Sequence, residues 1–482
     1  MIPPTLDAAA LILLIPIATA AALAALSSYR LSAALNVVSS LATLVVAASM
    51  LLRKPAPGPY FLIDDLNVVF VVLNTFVAFT TSVFSASYIA HEIEVGRLTP
   101  LHLRFYHAMY QVLLFAMNLA LIANNIGLMW VAVELATLTT VLMVGIYRTS
   151  EAIEAAWKYF VLGSVGVALA LFGTILVYMA ARPVVGEGVE AMAWSSLMAH
   201  AANFEPALLN LAFVFLMLGY GTKVGLAPLH AWLPDAHAEG PTPISAVLSG
   251  LLLNVALYAV LRYKLLLDAN VGAIAPGPLM ATLGLASLLF AALMLYRRRD
   301  IKRLFAYSSI EHMGIIVFAF GMGGALANFA GLLHMTMHSL TKSAIFFTVG
   351  HVAQAKGTQR ISDIRGLTVS HPMLGWALVI GVVAIAGLPP LGIFTSEFLV
   401  VSSTFVRAPW LAALVVLGLL LAFGALLMRL QGMAFGEPSP GGRPDRASLL
   451  PIFAHFALVL GAGLYLPSPL VAWFQHVAAM LR

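Results

Sequence analysis

The sequence predicts an all-helical protein that crosses a membrane many times. Of its 482 residues, 61% are hydrophobic and only 9% are charged, which lies outside the range of soluble domains. Apolar runs of about 20 residues, long enough to cross a bilayer as a helix, recur along the chain. The chain has no cysteine, which excludes disulfides, cysteine-ligated iron–sulfur clusters and thiol catalysis.

Hydropathy predicts fourteen membrane-spanning segments, followed by a short amphipathic or interfacial tail. The spans cover residues 8–29, 31–52, 66–90, 105–123, 126–147, 159–181, 206–231, 241–261, 276–296, 304–322, 325–354, 373–402, 409–428 and 449–465, and the tail covers residues 467–482. Of the 25 Lys and Arg residues, Lys223 and Lys342 lie within spans, and most of the others fall in odd-numbered loops. By the positive-inside rule, both termini are predicted on the outer side, and the net basic charge reflects topology rather than nucleic-acid binding.

Span seven is predicted to break at the stretch GTKVGLAPLHAWLPDAHAEGPTP, residues 221–243. Lys223 ends an apolar helical run, and Gly225 and Pro228 follow it. Proline lacks an N–H and clashes with the carbonyl four residues earlier, so the helix should end there. Inside a bilayer a broken helix is tolerated only where its freed carbonyls face protein or water, and a buried lysine marks a functional site. The stretch therefore indicates a proton path.

A second break is predicted in span twelve, where the Gly-Leu-x-Pro pattern of residues 225–228 recurs as Gly387, Leu388, Pro389 and Pro390. The two spans are five apart, and an odd offset reverses the direction of the helix. Paired interrupted helices in two inverted halves are typical of transporters, whose sites lie near the membrane midplane at the breaks.

Glu134 is the only charged residue between positions 126 and 147. Held close to Lys223, each group would stabilise the charged form of the other, and switching between paired and separated arrangements would move protons. The alternative is that the two residues form a static structural pair.

His334, His338 and Lys342 recur every four residues in span eleven, so their side chains should lie roughly 6 Å apart on one helix face. Water can bridge such gaps, and histidine is suited to shuttling protons. Histidines at this spacing can also bind a metal or haem. Because no HExxH motif or other ligand cluster accompanies them, no metal site is predicted.

Other polar residues have two open interpretations. Glu397 follows the second break and is either a buried proton-transfer group or a solvated residue near one surface. For Glu311 and His312, functional and interfacial roles are equally open. Three residues flank the first break and serve either in proton uptake or in capping and loops: His230, Asp235 and His237. The remaining histidines are expected at the surface or interface: His91, His102, His107, His200, His351, His371, His455 and His476.

Four segments together resemble the antiporter-like proton-channel family: residues 130–134, 223–243, 300–310 and 387–390. That family comprises large membrane-arm subunits of respiratory complex I, subunits of Mrp-type cation/proton antiporters and membrane subunits of group 4 hydrogenases. Within it, residues 249–258 and 334–344 most resemble the hydrogenase-4 component F group.

The resemblance implies fourteen core helices with inverted five-helix repeats over spans 4–8 and 9–13. The implied regions are 1–104 (helices 1–3), 105–263 (first repeat), 264–435 (second repeat) and 436–482 (helix 14 and tail). It implies proton-transfer roles for Glu134, Lys223 and Glu397, and a polar relay at His334, His338 and Lys342. One departure is Asn254, where relatives often carry a second lysine. Asparagine orients water but takes up no proton at neutral pH.

By resemblance, the chain is a proton-translocating subunit of a redox-driven complex in a prokaryotic cytoplasmic membrane. The complex would be hydrogenase-4- or formate hydrogenlyase-like, or complex I-like. This chain would bind no redox cofactor itself, whereas partner subunits would carry iron–sulfur clusters and a metal redox centre. Its partners would be other membrane-arm subunits, a peripheral redox module, lipid and protons or sodium, but not nucleic acid. The alternatives are an Mrp-type antiporter subunit, or a scaffold that anchors a peripheral hydrogenase without transport.

Overall fold

The computed structural model describes residues 7–440 and 448–481. Within that part of the chain the backbone forms helices joined by short turns, with no β-strand beyond isolated bridges. Three basic residues that contribute to the predicted orientation lie outside the described residues: Arg443, Arg446 and Arg482.

The helices follow the apolar runs of the sequence. The first ten are α1 (Ala8–Ala25), α2 (Tyr29–Leu52), α3 (Asp65–Glu94), α4 (Pro100–Ile122), α5 (Ile126–Val144), α6 (Ser150–Val185), α7 (Trp194–His200), α8 (Pro206–Val224), α9 (Trp232–Glu239) and α10 (Thr242–Val247). A π-helical turn, Leu248–Leu252, comes next. The others are α11 (Leu253–Asp268), α12 (Gly277–Leu295), α13 (Ile301–Met322), α14 (Ala325–Lys356), α15 (Leu367–Ser370), α16 (Pro372–Ile385), α17 (Gly392–Arg407), α18 (Pro409–Ala434), α19 (Leu450–Leu464) and α20 (Ser468–Met480).

Eleven of the described helical segments are long and apolar enough to cross a membrane, or twelve if α19 and α20, which meet at 81°, form one span. The predicted class, an all-α polytopic membrane protein, is confirmed. The count of fourteen spans stays a prediction. One reason is α14, which has 32 residues and matches a predicted span but is not among those eleven helices. Another is that α16 and α17, the halves of span twelve, have only 14 and 16 residues.

Both Gly-Leu-x-Pro motifs interrupt a helix. α8 ends at Val224, and Gly225 adopts φ +83°; α16 ends at Ile385, and Gly387 adopts φ +68°. Such φ values are accessible to glycine because it has no Cβ, and the prolines that follow cannot continue a helix. The Ala227–Pro228 and Pro389–Pro390 bonds are both cis. Spans seven and twelve are therefore broken at equivalent positions of the two motifs.

The chain divides into two compact units. The first comprises Met1–Ser82, Ile93–Val224 and Leu251–Pro276; the second comprises Val83–Glu92, Gly225–Gly250 and Gly277–Arg482. The boundaries of the two inverted repeats stay a prediction.

In the first unit, α6 and α8 cross in direct backbone contact. A Cβ atom added at Gly219 would lie 2.5 Å from the Ala170 nitrogen and 2.6 Å from the Gly166 oxygen. Small residues at such crossings let membrane helices approach closely. Because lipid is as apolar as the helix surface, the hydrophobic effect does not drive their association, and van der Waals packing stabilises it instead. The crossing places Lys223, one turn further along α8, against α6.

In the second unit, α14 is the central helix. It packs against α10, α13, α16, α17, α19 and α20. Because neighbouring helices surround it, its histidines and lysine are buried in protein rather than exposed to lipid. α12 and α13 pack beside it as a pair, again through glycine, since a Cβ at Gly284 would lie 2.6 Å from the Gly314 oxygen.

Gly219→Ala should destabilise the first unit, because the added methyl group would overlap the α6 backbone. We expect a loss of about 1–3 kcal/mol, seen as a lower melting temperature of the detergent-solubilised protein. Gly461→Ala in α19 is the matched control, since nothing lies within 4 Å of the added Cβ there. Equal melting temperatures for the two variants would show that the crossing is not tight.

Candidate functional site

Lys223 is buried in the first unit, with 1% of its surface exposed. It lies in the last turn of α8, directly before the break at Gly225. Its Nζ lies 5.0 Å from the centre of the Tyr159 ring on α6, within the range of a cation–π contact. The Tyr159 hydroxyl in turn lies 2.8 Å from the Thr140 hydroxyl on α5, which fixes the ring. The ammonium is therefore held among α5, α6 and α8.

The Lys223 ammonium occupies space that a side chain at position 163 would otherwise fill. A Cβ atom at Gly163 on α6 would lie only 2.5 Å from Lys223 Nζ. The ammonium thus lies against the α6 backbone at a position that has no side chain of its own.

Glu134 on α5 faces Lys223 closely enough for their charges to interact electrostatically. The residue is half-buried, and one carboxylate oxygen is buried without a hydrogen bond to any described residue. One turn earlier, Trp130 Nε1 donates a hydrogen bond of 2.8 Å to the Val167 carbonyl on α6, which anchors this part of α5. The structure thus brings the two residues of the predicted pair together.

Asn254 lies in α11 of the same unit, where it lines a small cavity together with Asn74. The cavity has a volume of about 10 Å³, close to the minimum that a single water needs. Asn74 also donates a hydrogen bond of 2.8 Å to Asn118. Two amide side chains, those of Asn74 and Asn254, thus line an otherwise apolar cavity that has room for one water at most.

The second unit contains a continuous chain of hydrogen bonds across three helices. The Ser396 hydroxyl on α17 donates to the Ile393 carbonyl at 2.8 Å, and His334 Nδ1 lies 2.9 Å from the same hydroxyl oxygen. His334 Nε2 lies 2.9 Å from Nδ1 of His312 on α13.

The tautomers of both histidines follow from this chain. Because the single hydroxyl hydrogen of Ser396 is committed to Ile393, its oxygen must accept from His334 Nδ1–H. His334 Nε2 is then the acceptor for His312 Nδ1–H. The lone pair of His312 Nε2 is left buried without a described hydrogen bond, 3.9 Å from a Glu311 oxygen. The hydrogen-bond chain therefore ends at His312 Nε2, which can accept a proton.

His338 and Lys342 continue the polar line along α14. The His338 ring centre lies 5.5 Å from that of His312, and neither of its ring nitrogens has a hydrogen bond among the described residues. Lys342 Nζ donates to the Phe305 carbonyl at 2.7 Å and interacts electrostatically with Glu311.

Glu397 is buried at the start of α17, and its carboxylate reaches back to Gly387 at the second break. It also lies within electrostatic range of Glu311. The break thus leaves room for the carboxylate, since a side chain at Gly387 would collide with it.

The structure groups a possible set of metal ligands that the sequence does not reveal. One ligand atom each from His312, His334 and Glu397 lie within 4.8 Å of one another, and all three residues are buried. Two imidazoles and a carboxylate are suitable ligands for zinc. However, the direct hydrogen bond between the two rings would have to break before an ion could enter between them.

Residues after the first break are held by the second unit itself. Asp235 forms an ion pair with Arg303 at 3.2 Å, and the His230 ring lies 4.8 Å from that of Phe290. His237 is buried, stacks on Phe346 at 4.8 Å and lies within electrostatic range of Lys342. Of these three residues, His237 alone is near the polar line of α14.

Three histidines expected at the surface or interface are instead buried, so the prediction was wrong for His107, His351 and His455. Position near the end of a span does not reveal packing by another helix: His455 Nδ1, for example, lies 2.9 Å from the Leu340 carbonyl of α14. The sequence analysis also missed Tyr159, Gly163 and Ser396, which are neutral and carry no signal of their own.

Comparison with known proteins identifies the class. Residues 123–422 match the family described as "NADH:quinone oxidoreductase/Mrp antiporter, TM". The chain belongs to this family of antiporter-like membrane subunits, as the sequence motifs predict.

The chain is similar in sequence or in fold to individual proteins of known kinds. The chain is 63% identical to the "Hydrogenase-4 component F homolog" of Methylacidiphilum infernorum (isolate V4), over 98% of this chain and 100% of that protein. Its fold is similar to a chain of the archaeal membrane-bound sulfane sulfur reductase, a respiratory membrane complex (TM-score 0.87, 23% identity, 98% of this chain and 97% of that chain). It is also similar to a chain of the Mrp complex from Dietzia sp. DQ12-45-1b (TM-score 0.84, 20% identity, 98% and 97%).

Gly163→Ala should displace the Lys223 ammonium, because the new methyl group would lie 2.5 Å from Nζ. The end of a lysine is flexible, so we expect the side chain to swing off the Tyr159 ring while α6 keeps its position. A cryo-electron microscopy map of the assembled complex would measure the Nζ position. An unchanged ammonium beside a shifted α6 would contradict the contact described here.

Proposed function

We propose that this chain translocates protons as a membrane subunit of a redox-driven complex, of the hydrogenase-4 or complex I-like kind. The observation that carries the proposal is the buried Lys223 ammonium opposite Glu134, next to a broken membrane helix. Ionisable groups are rare in apolar helices because burying charge is unfavourable, and where they occur they mark proton or ion pathways. The 63% identity to a hydrogenase-4 component F homolog supports the kind of complex.

In the first unit, the charge state of Lys223 depends on Glu134. In surroundings less polar than water, the attraction between two opposite charges stabilises the charged form of each group. Losing that attraction lowers the proton affinity of the lysine. A conformational change that separates the pair therefore makes Lys223 release its proton, and restoring the pair makes it bind one.

In the second unit, the histidine chain passes a proton by successive transfers. A proton that binds His312 Nε2 releases the Nδ1 proton to His334 Nε2, and His334 then releases its Nδ1 proton to Ser396. The Ser396 hydroxyl first rotates from the Ile393 carbonyl toward Glu397, and it gives up its own proton in that direction as it takes the one from His334. Both rings are then in the opposite tautomer, so the chain must reorient before the next proton. Because of this reset, protons are transferred one at a time, and neighbouring charges can change the rate of transfer.

The redox chemistry belongs to partner subunits. We propose that these carry iron–sulfur clusters and a metal redox centre, and that electron transfer there changes the charge near Glu134. The setting would be a prokaryotic cytoplasmic membrane, with both termini on the outer side and the other membrane-arm subunits as neighbours.

Lys223→Ala should abolish proton uptake into vesicles that contain the purified complex, while the complex stays assembled. The physical reason is that alanine can neither bind the proton nor respond to Glu134. Lys264→Gln is the matched control. Lys264 is also buried in a membrane helix, but it forms an ion pair with Asp268 at 2.6 Å. Unchanged uptake in Lys223→Ala, at equal redox turnover, would refute the role of this lysine.

Ser396→Ala should slow proton uptake by about 10-fold, because His334 Nδ1–H loses its buried acceptor and the tautomer order is lost. Ser396→Thr, which keeps the hydroxyl, should restore the rate. Ser403→Ala on the same helix is the control, since its buried hydroxyl bonds only the Val400 carbonyl at 2.9 Å. If Ser396→Ala and Ser403→Ala behave alike, the histidine chain does not carry protons.

The family description also includes Mrp antiporters, so a cation/proton exchanger is the second candidate. The two functions differ in their driving force. Proton movement driven by a sodium gradient without any redox reaction would favour the exchanger, whereas strict dependence on electron transfer favours the redox-driven complex.

A further inference from the structure

A groove rich in arginine lies in the second unit, where several membrane helices end. Its volume is about 1030 Å³, and its charged lining consists of one carboxylate, Glu437, and four arginines. We define it as the arginine groove by those arginines: Arg299, Arg360, Arg365 and Arg429. Arg299 follows α12, Arg360 and Arg365 follow α14, and Arg429 lies in the last turns of α18.

Backbone contacts hold these loops in place. Ile361 N donates to the Arg299 carbonyl at 2.9 Å, and Ile301 N donates to the Gln359 carbonyl at 2.9 Å. The loop after α12 is thereby joined to the loop after α14. Arg429 Nη2 donates to the Tyr296 carbonyl at 2.5 Å, which brings the end of α18 to the same place. The arginines converge because the fold fixes their backbones.

The groove has more positive charge than its own carboxylates can match. None of its four arginines forms an ion pair with a carboxylate in residues 7–440 or 448–481. Arg429 Nε is also buried there without a hydrogen bond. By contrast, nearby Arg303 is paired with both Asp235 and Glu239 at 3.2 Å. The excess positive charge is therefore confined to the groove, and an anionic ligand would neutralise it.

The other residues that line the groove indicate what kind of anion would bind there. Met428 and Phe435, with 49% and 45% of their surfaces exposed, belong to the same wall as the arginines. An exposed apolar side chain beside a guanidinium suits a ligand with a phosphate at one end and a hydrocarbon at the other. Arginine binds phosphate oxygens in a bidentate fork, and basic pockets at the ends of membrane helices bind anionic lipid head groups.

We propose that the arginine groove binds the phosphodiester head group of an anionic phospholipid, with its acyl chains leaving along Met428 and Phe435. The ligand would join the ends of α12, α14 and α18 by bridging their arginines. This proposal concerns a site separate from the proton-transfer residues and does not depend on their function.

The test is lipid binding to the purified, delipidated full chain, measured by native mass spectrometry. The probes are dioleoylphosphatidylglycerol, which is anionic, and dioleoylphosphatidylcholine, which carries a phosphate but no net charge. We expect tight binding of the first and weak binding of the second. Replacing two groove arginines, Arg365→Gln with Arg429→Gln, should weaken binding of the anionic lipid by about 30-fold.

The control is a double variant with the same loss of charge elsewhere, Arg30→Gln with Arg53→Gln, both exposed at the ends of α2. It should bind the anionic lipid like the wild type. Equal binding by wild type and groove variant, at equal thermal stability, would overturn the proposal.

Two further arms distinguish other ligands. If inorganic pyrophosphate displaces the anionic lipid completely and binds more tightly, the groove is a site for soluble phosphate and the lipid assignment fails. If the groove variant binds lipid normally but the complex purified with it lacks a peripheral subunit, an acidic protein segment occupies the groove, and the lipid assignment again fails.

Discussion

The burial of charge in an apolar solvent is the constraint on which the rest of this structure depends. Every ionised group within a bilayer needs a counter-charge, a hydrogen-bond partner or a neutral form. The protein meets this need differently in its two units. In the first, a lysine and a glutamate interact across helices. In the second, His312 donates to His334 and His334 donates to a serine, so these two neutral rings bond without a counter-charge.

Helix geometry is adapted to these polar groups. Glycine at the α6–α8 crossing brings the backbones together, and glycine opposite Lys223 leaves room for its ammonium. The break in span twelve also leaves room, since it accommodates the Glu397 carboxylate against Gly387. Irregular backbone is tolerated at membrane depth only inside protein or beside water. The breaks and the buried charges therefore occur together for one physical reason.

Much of the fold could be predicted from the sequence because its signals are local. Apolar runs define spans, and the Gly-Leu-x-Pro motifs define where two of them break. α14 shows both the reach and the limit of such signals. Its helix is predicted as span eleven, residues 325–354, and found at Ala325–Lys356, whereas the burial of its histidines and lysine depends on packing among other helices. The same applies to His107, His351 and His455, whose burial depends on helices distant in sequence.

The candidate site was predictable in part for a similar reason. Lys223 and Glu134 stand out because each is a charge in an apolar run. The hydrogen-bond chain joins His312 to His334 across 22 residues and His334 to Ser396 across 62, and no pattern along the chain encodes that contact. Ser396 in particular has no signal in the sequence, because a serine in a membrane helix ordinarily bonds its own backbone.

Infrared difference spectroscopy of the assembled complex during redox turnover tests the central claim most directly, namely that buried groups of this chain change protonation as protons pass. The account predicts a carboxylic-acid carbonyl band that appears and disappears with turnover. That band should be absent in Glu397→Gln and present in Glu205→Gln, which alters a carboxylate outside the polar cluster. A spectrum in which Glu397→Gln changes nothing, while protons are still pumped, would contradict the proposed route.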